Sequence, residues 1–517
     1  MLPIRSWGRL RQVIVVATRC GLSYLTDRLS AKPPLRYFFY RRRLNEPPLH
    51  IVAEKVVNAM ELLGPTYVKL GQFLSTRSDI LPPAFINTLS RLYKDVAPIS
   101  FEDIRTVISE EFNQPLENLY DEFSSVPRAA ASLAQVHAAK LKNGEPVAVK
   151  IQRPGIAKII RADMEILEEL ASLVNRRIPE ARIFRPEELV KEFGYQLNRE
   201  LDFQLEAMRI ERFRTHFSNN PDVYLPRVFW DYSTSRVLTM ELVEGVPLFP
   251  GKLEKSEISS AEIARRIFET FLKEVLDFGM FHADPHPGNI CVLDKQICLL
   301  DFGQVGILHE TDRDILFDVI FSLINDDIDS LMAAFYRFKL ISSDINERLF
   351  RRDITDLFER YKSLPARRVQ LGQFIIDSIR ICRNFDISFP PDMALLGKSL
   401  LMVESMAGSL DPQFEPIKYA GPVVREIRKK HFEPDYLSKK LRRKARLAGQ
   451  GLAELPGLMF SIARKAESGR FKIHFLHEGL EGSTRELERS LNRLALALII
   501  SAVIICVTII TVRLLGS

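Results

Sequence analysis

Cysteine is scarce in this 517-residue chain: Cys20, Cys291, Cys298, Cys382 and Cys506 are odd in number and far apart. They indicate neither a disulfide framework nor a zinc site, and a reducing compartment is expected for most of the chain. No repeat of fixed period and no low-complexity tract is present, which excludes a solenoid or a fibrous chain. Hydrophobic residues make up 46% and charged residues 27%, so the chain is not disordered as a whole either. A secretory signal is missing, because the apolar run from Gln12 to Thr18 stops at Arg19 without a cleavage site. A phosphate loop is missing too: LLGKS at 395–399 has Asp392 where the first glycine is required.

Charge of one sign is concentrated at the ends. Residues 1–43 hold ten Arg/Lys against the single acid Asp27, and residues 425–472 hold fourteen against five. The net charge of the whole chain is only +6, so the middle is acidic. From Leu494 to Val512 runs LALALIISAVIICVTIITV without a charge. At ~1.5 Å per residue this spans about 28 Å, close to the hydrocarbon core of a bilayer. Arg485, Arg489 and Arg493 precede it and only Arg513 follows, which predicts a single-pass C-terminal anchor with everything upstream in the cytoplasm. Near the start, Arg5, Arg9 and Arg11 with Trp7, Leu10, Ile14 and Val15 predict an amphipathic helix on anionic lipid. An Arg-rich organellar presequence is the alternative.

Residues 50–95 have helical periodicity, first to Gly64-Pro65 and then to Leu81, where Pro82-Pro83 stops it. AQVHAAKLKNGEPVAVKIQ reads as two strands joined at Asn143-Gly144. Helical patterns follow over about 157–210. VYLPRVFWDY and RVLTMELVEG read as strands, and from Ser259 onward the chain is mainly helical.

The chemistry is concentrated in FHADPHPGNI, 281–290, and CLLDFGQVG, 298–306. A carboxylate five residues before an amide, then Asp-Phe-Gly a dozen residues on, is what phosphoryl transfer requires. Asp284 can orient or deprotonate a nucleophile, while Asn289 and Asp301 are hard oxygen ligands for Mg²⁺ on nucleotide phosphates. His282 and His286 stand four apart, but the prolines flanking His286 forbid a continuous helix, which argues against a zinc pair. Upstream, VAVK ends at Lys150, whose ammonium can pair with α/β-phosphates and a helix-borne glutamate. Glu200 is the first candidate for that partner, followed by Glu192 and Glu206. Glu241 and Val243 in MELVEG offer backbone groups to an adenine ring.

Two features depart from a protein kinase. The glycine flap is replaced by PRAAASLAQVH, with Ala129, Ala130, Ala131 and Ser132 where glycines would close over phosphates. Alanine does not readily adopt φ > 0, so nucleotide must be held differently. In addition, His286 stands two residues after Asp284, where protein kinases have a lysine, and no Ala-Pro-Glu follows Asp-Phe-Gly.

At these residues the chain resembles the UbiB/AarF family of atypical kinases. The likeness covers roughly 50–410 and includes the alanine-rich loop, VAVK, the Glu200-Leu201-Asp202 element, ADPHPGN and the KxGQ motif, here Lys69-Leu70-Gly71-Gln72. Lys69 and Gln72 are three apart, so one helix face carries both toward a cleft. The resemblance implies a bilobal, protein-kinase-like α+β fold whose KxGQ extension covers the active site and excludes protein substrates. It further implies ATP/ADP and Mg²⁺ binding, lipid-sensitive ATPase activity and a part in ubiquinone (coenzyme Q) or related isoprenoid-lipid biosynthesis. The partners implied are anionic membrane lipids, hydrophobic quinone precursors and quinone biosynthetic enzymes, with no nucleic acid. The membrane would be the bacterial inner membrane, although bacterial members usually have two spans where this sequence has one.

The expected organisation is a basic N-terminal segment (1–45), the KxGQ extension (46–118), an N-lobe with inserted helices (119–250), a C-lobe (251–420), a basic membrane-proximal segment (421–493) and a transmembrane helix (494–512). A nucleotide-binding scaffold is a second functional reading, and a true protein kinase a third that is less consistent with the alanine loop and KLGQ. An aminoglycoside- or choline-kinase-like enzyme would fit the His-Pro-Gly-Asn loop but not KLGQ or the tail.

Overall fold

Gly144 sits at φ +89°, a conformation open to glycine, and its amide donates to the Leu141 carbonyl at 2.8 Å. That turn closes strands β3 (Ala134–Leu141) and β4 (Pro146–Gln152) into the hairpin that the sequence predicts. The computed structural model describes residues 7–20 and, with short breaks, 49–431. The expected anchor at 494–512 and the basic stretch after His431 lie outside the described residues, as does most of the expected 1–45 segment beyond Cys20. The described residues up to Lys430 belong to one compact unit, Met1–Lys430.

The hairpin is the centre of an antiparallel sheet in the order β1 (Tyr120–Phe123), β3, β4, β6 (Val237–Glu241), with the short β2 (Ala129–Ala130) pairing on β3. Before it come α1 (Trp7–Arg19), α2 (Leu49–Leu63), α3 (Pro65–Ser75), α4 (Pro83–Leu89) and α5 (Phe101–Phe112). Helix α5 starts at Ser100, whose side chain accepts from the Asp103 amide, and it buries Ile104, Val107 and Ile108 against the sheet. The helical stretch after β4 is three helices: α6 (Ile156–Arg177), α7 (Pro186–Glu200) and α8 (Phe203–His216).

The second lobe has a small sheet in the order β5 (Val223–Tyr224), β10 (Gln296–Leu299), β9 (Ile290–Leu293), β7 (Val246–Pro247), and a pair formed by β8 (Met280–His282) and β11 (Val305–Ile307). Around these pack α9 (Ser260–Lys273), α10 (Glu310–Asn325), α11 (Ile328–Phe338), α12 (Glu347–Lys362), α13 (Leu371–Asn384), α14 (Pro391–Leu410) and α15 (Pro416–His431). The fold is thus kinase-like, a mixture of sheet and helix. One sequence expectation shrinks: of VYLPRVFWDY only β5 is a strand, because Pro226 interrupts the run and Trp230–Tyr232 form a 3₁₀ turn.

Among the described residues only Asp392–Leu410 of α14 is long and apolar enough to cross a membrane, and half of it is buried in the protein. It packs between α9 and α13, and its Met393, Leu396, Leu400 and Val403 belong to the main core. The start of the expected membrane-proximal segment also packs inward, since α15 buries Val423, Val424 and Ile427 and its Lys430 pairs with Asp277 at 2.7 Å.

Helix α1 forms as its amphipathic pattern predicts, yet its inner face is occupied by protein. Arg9 grips the fully buried Asp163 of α6 through two hydrogen bonds, at 2.7 and 3.0 Å, and donates to the Leu63 carbonyl at 2.6 Å. Val13 and Val16 pack on the core shared by α2, α3, α6 and α7. Arg9 is therefore not a lipid contact, because the buried Asp163 carboxylate requires a counter-charge. Ile14, Val15, Arg11 and Arg19 are exposed on the outer side. Arg9→Ala strands a buried charge and should cost on the order of 3 kcal/mol in denaturant unfolding. Asp163→Asn in the same background should recover most of that loss, and an unchanged midpoint for Arg9→Ala would mean that the pair does not hold α1.

Candidate functional site

Alternation along β4 turns Lys150 out of the sheet core, over the Phe203 ring at 5.4 Å and into the space between the lobes. Its Nζ donates to both oxygens of Glu206, at 2.8 and 2.9 Å, and to Asp301 Oδ2 at 3.4 Å. Burial alone would lower the Lys150 pKa, but the charges of Asp301 and Glu206 outweigh it and hold the ammonium above its ordinary value. Burial raises the Glu206 carboxyl, with Lys150 opposing.

The partner of Lys150 is thus Glu206, and the first-choice Glu200 is corrected. The reason is a helix break. Leu201-Asp202 ends α7, and Asp202 caps α8 by accepting from the Gln204 amide at 3.0 Å, which rotates Glu206 toward β4. Glu200 stays at the end of α7 and faces Lys69 of α3, whose Nζ lies 2.6 Å from its Oε2. Gln304, just past Asp-Phe-Gly, donates to the other Glu200 oxygen at 2.8 Å. Burial opposes the Lys69 charge, but Glu200, with Asp301 and Asp284 behind it, raises the pKa above its ordinary value. Glu192 is not the partner of Lys150 either, since it pairs with Arg77 at 2.6 Å.

Gln72 does not reach the cleft. Its Nε2 donates to the Leu92 carbonyl at 2.8 Å, because α3 lies flush against Leu89, Leu92 and Met60 at Gly71. A side chain at Gly71 would overlap Leu92 and meet Met60 Sδ at 3.0 Å.

The loop after β8 is held from several sides. The Asp284 carbonyl accepts from the His286 amide at 2.8 Å and from Asn289 Nδ2 at 3.1 Å, which leaves Asn289 Oδ1 as an acceptor. His282 Nδ1 accepts from the Asp284 amide at 3.2 Å, and exposed His286 accepts from the Gly288 amide at 3.1 Å. Glu274, raised by burial to about 8, receives the His282 amide at 2.9 Å. Asp301 Oδ1 accepts from the Gly303 amide at 2.8 Å. Burial would raise Asp301, but Lys150, the Gly303 amide, His282 and Lys69 lower its pKa to about 2, so it is ionised. One carboxylate oxygen set and one amide oxygen are hard donors that fit Mg²⁺.

Sequence reasoning missed Arg209, one turn after Glu206, which donates to the Phe302 and Gly303 carbonyls at 3.1 and 2.7 Å. It also missed Ser399 of α14, whose hydroxyl donates to the Ala283 carbonyl at 2.8 Å. Only the i, i+3 spacing of Glu206 and Arg209 hints at the first, and nothing local hints at the second.

The remaining expected contact residues lie on β2, on β6 and in the segments that follow them. Ala129 and Ala130 form β2, the Ala131 amide donates to Ala134 at 2.8 Å, and none of Ala129, Ala130, Ala131 or Ser132 has positive φ. Glu241 ends β6. Its carboxylate accepts from the Tyr224 hydroxyl at 2.6 Å and its amide donates to Arg227, so only its carbonyl could face a purine. Val243 follows in the connection to β7.

Residues 91–335 match the ABC1 atypical kinase-like domain, and residues 354–415 match the UbiB helical domain. A Marinobacter nauticus protein named "Probable protein kinase UbiB" is 32% identical over 441 residues, covering 84% of this chain and 81% of its own length. The chain belongs to the ABC1/UbiB family of atypical kinases. A Clostridium pasteurianum protein from the hydrogenase 1 5' region is 30% identical over 453 residues, covering 87% of this chain and 85% of its own. A solved Mycobacterium tuberculosis structure, a complex with erythromycin, matches at 22% identity and a TM-score of 0.46, covering 67% of this chain and 92% of that one. At family level the matched domains and the UbiB relative imply ubiquinone biosynthesis. Both matched regions reach the site, since Ser399 of the helical domain holds the residue before Asp284.

Gly71→Ala should lower stability by about 1–2 kcal/mol through overpacking against Leu92 and Met60. Denaturant unfolding checks this, and Leu92→Ala in the same background should relieve part of the strain.

Proposed function

We propose that the chain is an ATP-dependent phosphotransferase or ATPase that holds Mg-nucleotide between the alanine-rich hairpin and the 284–289 loop and supports ubiquinone or related isoprenoid-lipid biosynthesis at a membrane. The observation that carries this reading is the meeting of Lys150 with Asp301, at 3.4 Å, beside the Asp284–Asn289 clasp, at 3.1 Å. In the proposed roles Lys150, aligned by Glu206, neutralises the inner phosphates. Asp284 orients the acceptor and takes its proton. The backbone of the alanine loop borders the phosphates, and the Glu241 carbonyl and Val243 backbone meet the base. Asn289 and Asp301 would hold Mg²⁺, which supplies charge neutralisation on phosphate oxygens.

An apolar acceptor, such as a quinone precursor, is supported by a cleft of about 970 Å³ beside the loop. Pro285 and Pro287 form one end of it, and Leu248, Leu401, Met402 and Met406 line its walls. Anionic lipid would attract the basic ends of the chain and the outer face of α1, at about 1 kcal/mol per Lys or Arg close to the surface. ATP hydrolysis should accordingly rise with anionic liposomes at low salt and lose that stimulation at high salt. Hydrolysis indifferent to liposomes removes the membrane coupling.

One observation favours a nucleotide-sensing scaffold instead: Lys69 is closed on Glu200 and adds its charge to the surroundings of Asp301 and Asp284. Asp284→Asn separates the two. If nucleotide binding persists while ATP hydrolysis and rescue of a quinone-deficient strain are lost, chemistry is required, whereas full rescue favours the scaffold. The two glutamates should also differ. Glu206→Gln should weaken ADP binding by about tenfold, ~1.4 kcal/mol, by freeing Lys150 to close on Asp301. Glu200→Gln should leave ADP affinity within about twofold while loosening α3. Equal effects in a binding titration would undo the assignment of the two pairs.

A further inference from the structure

The 284–289 loop has no basic side chain besides His286. ADPHPGN contains neither lysine nor arginine, and His286, two residues after Asp284, is exposed and accepts the Gly288 amide. A phosphoryl group in transfer spreads negative charge over its outer oxygens and needs positive charge on that side. In the proposed roles Lys150, aligned by Glu206, is taken up by the inner phosphates, and Lys69 lies 2.6 Å from Glu200.

A third ammonium arrives from the helical domain. Lys398 lies on α14, and its neighbour Ser399 is fastened to the Ala283 carbonyl at 2.8 Å, one residue before Asp284. Lys398 Nζ itself lies 3.2 Å from the hydroxyl of Ser75, the last residue of α3. The side chain is therefore located between the end of the KxGQ helix and the Asp284 loop. Burial lowers its pKa, and the Asp284 carboxylate is near enough to oppose that shift. Lys398 belongs to LLGKS, the segment that fails as a phosphate loop. In a helix that segment cannot wrap a phosphate with its backbone, but it can project one charged side chain.

We infer that Lys398 is the cation facing the terminal phosphate of a bound nucleoside triphosphate, supplied by α14 in place of the loop lysine of ordinary kinases. This rests on the nucleotide-binding reading above. The Ser75 hydroxyl is then one of its resting partners, and the helical domain completes the site of the kinase-like domain. A discriminating cation of this kind acts on the triphosphate and leaves the diphosphate almost untouched.

The test is a titration of the full-length, detergent-solubilised chain with Mg-ADP and with the Mg complex of a non-hydrolysable β,γ-imido triphosphate. Lys398→Met should weaken the triphosphate analogue by about tenfold or more and ADP by less than about twofold. Lys398→Arg should retain most of the preference, and Ser75→Ala should leave the ratio of the two affinities unchanged. If Lys398→Met keeps the wild-type ratio, the inference is wrong. If Ser75→Ala shifts the ratio as Lys398→Met does, Lys398 is only a latch on α3 and the inference is also wrong. Should Lys398→Met fail to fold, Lys398→Gln and Lys398→Arg provide the same comparison. Wild-type protein that binds neither nucleotide overturns the functional reading together with this one, whereas a wild type that binds both isolates the failure to Lys398.

Discussion

A lysine ammonium taken out of water is costly unless it is paired, and pairing with carboxylates organises the centre of this molecule. Lys150 sits on Glu206 with Asp301 beyond, and Lys69 sits on Glu200 with Gln304 on the other oxygen. The two pairs come from a strand, three helices and the turn after Asp-Phe-Gly. Each pair joins segments that no local preference would bring together. Because an unpaired member would be far more costly than an absent pair, the two pairs fix which helix faces which lobe.

The KxGQ helix illustrates how such a constraint propagates. Its lysine reaches across to the end of α7, while its glycine and glutamine face away, into a contact with Leu89 and Leu92 that requires a missing side chain. One face fastens the extension to the site and the other fastens it to its own small core. The N-terminal helix joins the same core through Arg9 and Asp163. The extension is thus a third packed layer, and its closeness to Asp301 follows from charge as much as from apolar contact.

The helical domain has a comparable double function. Helix α14 has the length and apolarity of a membrane span, but its apolar positions are satisfied by α9, α13 and the main core. Its Ser399 is fastened to the loop that carries Asp284, and its Lys398 reaches Ser75 of α3. A helix placed between a large core and a small loop can hold that loop rigid and so fix the Asp284 side chain.

Much of this protein is determined locally. The Asn143-Gly144 hairpin, the strands around the Asp-Phe-Gly motif, the helices of the extension and the residue types at Lys150, Asp284, Asn289 and Asp301 follow from periodicity, turn chemistry and spacing, each of which acts over a few residues. The glutamate that answers Lys150 could not be read this way, because Glu200 and Glu206 differ only through a helix break at Leu201-Asp202 that reverses the faces they present. Nor could the inward face of α1, the position of Gln72 on Leu92, or the arrival of Ser399 and Lys398 at a loop more than a hundred residues away. Those were decided by the tertiary structure, because pairing of buried charges and packing of apolar faces are contacts between distant segments, and their partners are chosen only when the lobes close.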